Sequence, residues 1–261
     1  MGNINLSKHE TRADKKIDKS EIKEKTAKLR EKIQSYQRMM YAEGKNSMLV
    51  ILQGMDASWK DGTVKRVFMG LNPLWCKIQW FKKPTPLEAS HDFLWRVHEH
   101  APEAGMIKIF NRSHYEDVLV PVVEDLISKD ELENRYEDIN NFEQLLTNNG
   151  TTVLKFYLNI SHEKQKEKLL DRLENPKKYW KHNDGDRDSR EKWDQYMDQY
   201  HDVFKHTDTK TAPWHVIAAD QNWWKAYQVA EIVVEAFEKM NPKRPELEAD
   251  VAKYLEEEDD D

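Results

Sequence analysis

The stretch whose reading decides the fold is Met48–Met69, MLVILQGMDASWKDGTVKRVFM. Its first five residues, Met48 to Leu52, form an apolar run of the length and branched character of a buried strand. Gly54 breaks that run, and from Lys60 onward Val64, Val67 and Phe68 recur at helical spacing. A strand, a tight turn and a helix opening on a lysine is the layout of a phosphate-binding loop. In such loops backbone N–H groups and the positive end of the helix dipole hold anionic oxygens. The common form is Gly-x-x-x-x-Gly-Lys-Ser/Thr. Here Gly54 and Lys60 are in place, and Trp59 stands at the second glycine.

Upstream, Ile22, Ala27, Leu29, Ile33, Tyr36 and Met40 trace one face of a long amphipathic helix, with Ser20 as the expected N-cap. Residues 1–19 mix charges without periodicity and read as a flexible arm. Downstream, Leu71-Asn72-Pro73 stops the loop helix. Further strands are expected near residues 76–81, 106–110, 153–158 and 214–218. Helices are expected over 87–99, 134–148, 163–173, 191–204 and 222–240, and the charged segment 175–189 reads as a loop. This alternation predicts an α/β fold in three layers, a five-stranded parallel sheet flanked by helices. One domain is expected over 20–242, followed by an acidic tail over 243–261.

The chain has 261 residues, a formal net charge of -7 and 34% charged residues, with a mean hydropathy of -0.92. That polarity, with 38% hydrophobic residues and nine tryptophans, belongs to a folded protein with a very polar surface. The negative balance argues against nucleic acid as a partner, although a local basic groove can still take a polyanion. Cys76 is the single cysteine, so no internal disulfide forms and a reducing, cytoplasmic setting is expected. No apolar run reaches the roughly 20 residues of a membrane span.

Ligands of parallel sheets sit beyond the carboxyl ends of the strands. Three polar clusters fall there: Gly54–Lys60, Asn111–Asp117 and Asp220. Lys60 can reach a terminal phosphate as a point charge. Asp56 reads as a Mg²⁺ ligand or as a turn-forming acid. Arg112, Glu116 and Asp117 suit metal holding and charge stabilisation, and a helix-capping acid pair is the rival explanation. Arg96, on a helix with His91 and Asp92, can grip a second phosphate or simply be solvated. Lys177, Lys178, Tyr179, Trp180, Lys181, His182, Arg187 and Arg190 make either a mobile lid or a solvated charged loop. No cluster has zinc-like spacing.

The blocks LQGMDAS, KDGTVK, GLNP, FKKPT, HDFLWR, IFNRSHYEDVLV, REKWDQYM and APWHVIAAD resemble the family-2 polyphosphate kinases, over about residues 30 to 240. The form NRSHYED, with Asn111, resembles the branch acting on nucleoside mono- and diphosphates. The resemblance implies a P-loop kinase-like fold with a helical lid near 175–205. It further implies Mg²⁺ as cofactor, inorganic polyphosphate as donor and AMP or ADP as acceptor, and a homo-oligomer is expected. It also implies catalytic roles for Asp56, Lys60, Arg112 and Asp117, with Asp56 and Asp117 holding the metal. Gly54, Arg66, Lys82, Lys83 and Arg190 are the expected phosphate-binding residues, and Arg96 and Asn111 the nucleotide-binding ones. Trp59 stands where the family pattern has Gly, and Val122 where it has Arg. An alternative follows from these departures: an engineered, catalytically impaired binding protein whose Trp59, Trp75, Trp80 and Trp224 line a pocket or interface for a protein or small molecule.

Overall fold

The structure is a computed structural model that describes residues 4–183 and 185–246. The apolar run folds as β1 (Ser47–Gln53), buried along its whole length. It has parallel neighbours on both edges, with Val50 opposite Ile109 of β3 (Ile107–Asn111) and Leu154 of β4 (Thr151–Asn159). β2 (Cys76–Trp80) lies outside β3, and β5 (Trp214–Ala218) outside β4, also parallel. The five strands therefore run in the order β2-β3-β1-β4-β5. A central strand with no solvent face needs apolar residues at every position, which is why β1 reads as a run rather than an alternation.

α1 (Lys19–Glu43), α2 (Lys60–Val67) and α10 (Asn222–Met240) pack together as one helical layer. α5 (Val120–Val123), α6 (Lys129–Asn148) and α9 (Trp193–Thr207) form the other. Short helices α3 (Pro86–Ala89) and α4 (Trp95–His98) follow β2, while α7 (His162–Glu174) and α8 (Gly185–Glu191) follow β4. No helix among the described residues is long and apolar enough to cross a membrane.

Local chemistry moved several expected boundaries. Asp18, not Ser20, caps α1, because its charged carboxylate accepts from the amides of Ser20 and Glu21. The helix expected over 87–99 is two short ones. A Thr85–Glu88 capping box starts α3, and Asp92 accepts from the Leu94 amide just before α4. α6 begins at Lys129, where the Ser128 side chain accepts from the Glu131 amide. The segment 175–189 is a turn of 3-10 helix at Pro176–Lys181 and most of α8 rather than a loop.

The expected flexible arm is anchored to the fold at several points, although most of its side chains are exposed. Leu6 and Ala13 are buried, the Asp220 amide donates 2.8 Å to the Thr11 carbonyl, and Thr11 Oγ1 and Arg12 Nη2 each lie 3.0 Å from Asp220 Oδ2. Asp220 needs those donors because its carboxylate is buried. Of the acidic tail, residues 247–261 lie outside the described residues.

A buried ion pair ties the sheet to α6. Lys155 Nζ donates 2.7 Å to Glu143 Oε2, 2.9 Å to the Tyr115 hydroxyl and 2.7 Å to the Thr207 carbonyl. The two charged side chains are 0% and 2% exposed. Burial pushes the Glu143 carboxyl up, but Lys155 and His114 outweigh it and keep the carboxyl below its ordinary value. Removing one partner of such a pair strands the other charge, at about 3–5 kcal/mol. Lys155→Met is therefore expected to lower the unfolding free energy by about that amount in urea titration. Lys155→Met with Glu143→Leu is expected to be more stable than Lys155→Met alone, and the reverse order would refute this account of the pair.

Candidate active site

β1 leads into a turn whose backbone is forced at several points. Gly54 takes φ 142°, and a β-carbon there would lie 2.8 Å from the Leu158 carbonyl oxygen, so only glycine fits. Ala57 and Trp59 both take φ 64°, the left-handed region that side chains disfavour. Trp59 is the residue before α2, so the backbone keeps the conformation a glycine would adopt even though an indole is attached. Lys60 folds back under the turn, with Nζ 2.7 Å from the Gly54 carbonyl and 3.4 Å from that of Met55.

β3 ends beside this turn, since Leu52 of β1 is paired with Asn111. Arg112, also left-handed at φ 62°, points its guanidinium across the strand ends. Its Nη2 lies 2.7 Å from Asp56 Oδ1 and its Nη1 3.4 Å from Glu116 Oε2. The three side chains border a hollow of about 60 Å³ together with Gly54, Tyr196 and Tyr200. Ser189 of α8 also reaches it, so α8 and α9 roof the strand ends.

The two carboxylates differ in basicity. Burial raises Asp56, but Arg112, Lys60 and Arg172 together hold it below the usual range. Burial dominates at Glu116 and leaves it raised despite Arg112 and Lys60. Lys60 is lowered by burial and by Arg112. Arg112 is raised, chiefly by Glu116 and then by Asp56. The hollow thus holds a permanent cation between two acids of unequal strength.

Asp117, expected to hold a metal with Asp56, does not border the hollow. Successive residues of the 3-10 turn His114–Val118 point different ways, Glu116 inward and Asp117 toward α4. Asp117 Oδ2 is 3.1 Å from Arg96 Nη2, and its carbonyl accepts from Arg135 Nη1 at 2.6 Å. Arg96 is only 5% exposed and spends its other amine on the Lys82 carbonyl at 2.8 Å. Asn111 donates to Asp61. Arg190 donates to the His162 carbonyl and to Gln165 Oε1, and Gln165 Nε2 donates to the Asp56 carbonyl. A chain of bonds therefore runs from α8 to the loop. Arg66, Lys82 and Lys83 are exposed and do not border the hollow.

The tryptophans do not share a pocket. The Trp59 ring lies over Gly62 and under Lys168 Nζ, 5.0 Å from its centroid, and is not part of the hollow's wall. Trp75 stacks on Tyr41 at 4.3 Å, Trp224 stacks on Tyr227 at 5.4 Å, and Trp80 is exposed beneath Lys82. The alternative of a tryptophan-lined pocket is therefore set aside. Val122 packs against the core and brings no charge to the site. Sequence reasoning missed Tyr196 and Tyr200, whose aromatic spacing along α9 reads as ordinary core. It named Glu116 but left it out of the catalytic set.

The family model for Polyphosphate kinase 2 (PPK2) matches residues 16–245. An AMP/ADP-polyphosphate phosphotransferase of Meiothermus ruber is 44% identical over 225 residues, 86% of this chain and 84% of that protein. An ADP-polyphosphate phosphotransferase of Rhodopseudomonas palustris is 36% identical over 83% of this chain and 79% of its own length. The crystal structure of Polyphosphate Kinase 2 from Arthrobacter aurescens TC1 aligns at a TM-score of 0.93 and 36% identity, covering 99% of this chain and 94% of that one. With the loop after β1, the arginine after β3 and the roofing helices in that same frame, this chain belongs to the polyphosphate kinase 2 family.

Proposed function

We propose that this chain transfers a phosphoryl group from inorganic polyphosphate to AMP or ADP. The observation that carries the reading is the Arg112 guanidinium set between Asp56 and Glu116 at the mouth of the loop. The relatives' names supply the donor and the acceptors.

In the reaction an acceptor phosphate oxygen attacks the terminal phosphorus of the donor in line, and the shortened polyphosphate leaves. Lys60 exchanges the Gly54 carbonyl for a phosphate oxygen, and Arg112 balances charge on the transferred group. Tyr196, Tyr200 and Ser189 line the same hollow. Among the described residues no group of three or more His, Cys, Asp or Glu side chains could hold a metal ion. Magnesium does not need one, since it takes one or two carboxylates and completes its shell with water and phosphate oxygens. Asp56 and Glu116 fit that demand, and when bound the ion would neutralise phosphate charge. Asp117 does not border the hollow and is paired with Arg96, and that pair braces the turn carrying Glu116. Arg66, Lys82 and Lys83 remain as exposed cations for the outer part of the donor chain, and Arg190 steadies the lid. Asn111 is assigned to the nucleotide side. The single half-buried thiol of Cys76 suits a cytoplasmic setting, and Ile78 and Trp80, exposed on edge strand β2, suit self-association.

Luminometric assay with polyphosphate, ADP and Mg²⁺ is expected to give ATP. No ATP from polyphosphate would overturn the donor assignment. Asp56→Asn and Glu116→Gln are each expected to lower kcat about 10²- to 10⁴-fold, and Asp117→Asn less than Glu116→Gln. An intact Glu116→Gln enzyme would remove that residue from the chemistry. Trp59→Gly is expected to leave kcat/KM within about threefold, because the indole stands clear of the hollow.

A further inference from the structure

α10 crosses behind the phosphate loop and carries a lysine that the reaction above does not use. Lys225 is 1% exposed, and its Nζ donates 2.7 Å to the Ser58 carbonyl. Ser58 sits between Ala57 and Trp59, the two residues held at φ 64°. Two left-handed residues bearing β-carbons within three positions are strained and need an outside hold. The helix does not supply it, since the first backbone bond of α2 runs from the Thr63 amide to the Trp59 carbonyl, one residue further on. The Ser58 carbonyl is left to Lys225.

The surroundings make this lysine costly. The charged groups that face it are Lys60 and Arg66 from α2, Lys168 from α7 and Asp220 from the turn before α10. Only one of them is acidic, and Asp220 is already occupied by Thr11, Arg12 and Ser161. Burial, then Lys60, Arg66 and Lys168, pushes the ammonium down to about 7. A core position that served packing alone would hold an apolar residue more cheaply. The expense is accounted for if the lysine serves the loop.

We propose that Lys225 is a positioning residue that presets the phosphate loop for the polyphosphate donor, acting through its hydrogen bond to the Ser58 carbonyl. The proposal rests on the phosphoryl-transfer reading for the identity of the anion. Its structural part, the hold on residues 57–59, stands apart from turnover.

The test compares the full-length wild type with Lys225→Met and Lys225→Arg. Three quantities are read: amide hydrogen exchange over residues 56–60, binding of tripolyphosphate to the nucleotide-free protein, and kcat and KM separately. Lys225→Met is expected to speed exchange in the loop about tenfold, weaken tripolyphosphate binding and raise KM for polyphosphate by about as much, with kcat changed far less. Lys225→Arg is expected to restore most of the protection and the binding. A folded Lys225→Met protein with loop exchange and tripolyphosphate affinity unchanged would overturn the proposal. Should Lys225→Met fail to fold, Lys225→Gln, which keeps an N–H donor and drops the charge, takes its place with intermediate exchange expected and wild-type exchange and affinity as the overturning result. A wild type that binds tripolyphosphate yet transfers nothing would defeat the functional reading alone.

Discussion

The guanidinium of Arg112 is the contact on which the site depends. It is one cation shared by an acid from the turn after β1 and an acid from the turn after β3. Without it, Asp56 and Glu116 would be two half-buried carboxylates facing one hollow, an arrangement that favours protonation of one of them. With it, Asp56 stays ionised while Glu116 sits above its ordinary value. The same cation remains available to phosphate oxygens, because an arginine can bond two carboxylates and still present N–H groups.

The sheet makes this contact possible. β1 and β3 are adjacent and parallel, so the turns that leave them rise side by side. Each turn reaches the site through backbone that side chains disfavour, at Ala57 and Trp59 on one side and at Arg112 on the other. Such strain persists only where the surroundings over-determine it. Here they do so through the Lys60 bonds to the loop carbonyls, the Lys225 bond to Ser58, and the Gln165 and Arg190 bonds that join α7 and α8 to Asp56. The aromatics Tyr196 and Tyr200 line the other side of the same hollow.

Much of this was legible in the residues. The unbroken apolar run at Met48–Leu52 announced a strand covered on both faces, and the alternation after it announced a parallel sheet with polar clusters at one edge. Gly54, Asp56, Lys60 and Arg112 were legible because their chemistry is unusual at a strand end. Three things were not. Spacing does not say which of two neighbouring acids faces inward, since in a 3-10 turn that depends on the local twist. Glu116, not Asp117, is the one that borders the hollow. The anchoring of residues 4–18 was hidden because it rests on backbone bonds and on a partner, Asp220, more than 200 positions away. The direction of the Trp59 ring was hidden too. Sequence shows that an indole replaces a glycine, but only the fold shows that Gly62 leaves room for it to turn aside.

The central claim is that Asp56 and Glu116, with Arg112 between them, mark where a divalent cation and the transferred phosphate meet. Anomalous diffraction from crystals grown with Mn²⁺ and tripolyphosphate tests it most directly. The expected result is a manganese peak at about 2.0–2.2 Å from a carboxylate oxygen of Asp56 or Glu116, with phosphate density reaching Lys60. A peak bound to Asp117, with the hollow beside Arg112 empty of both metal and phosphate, would contradict it.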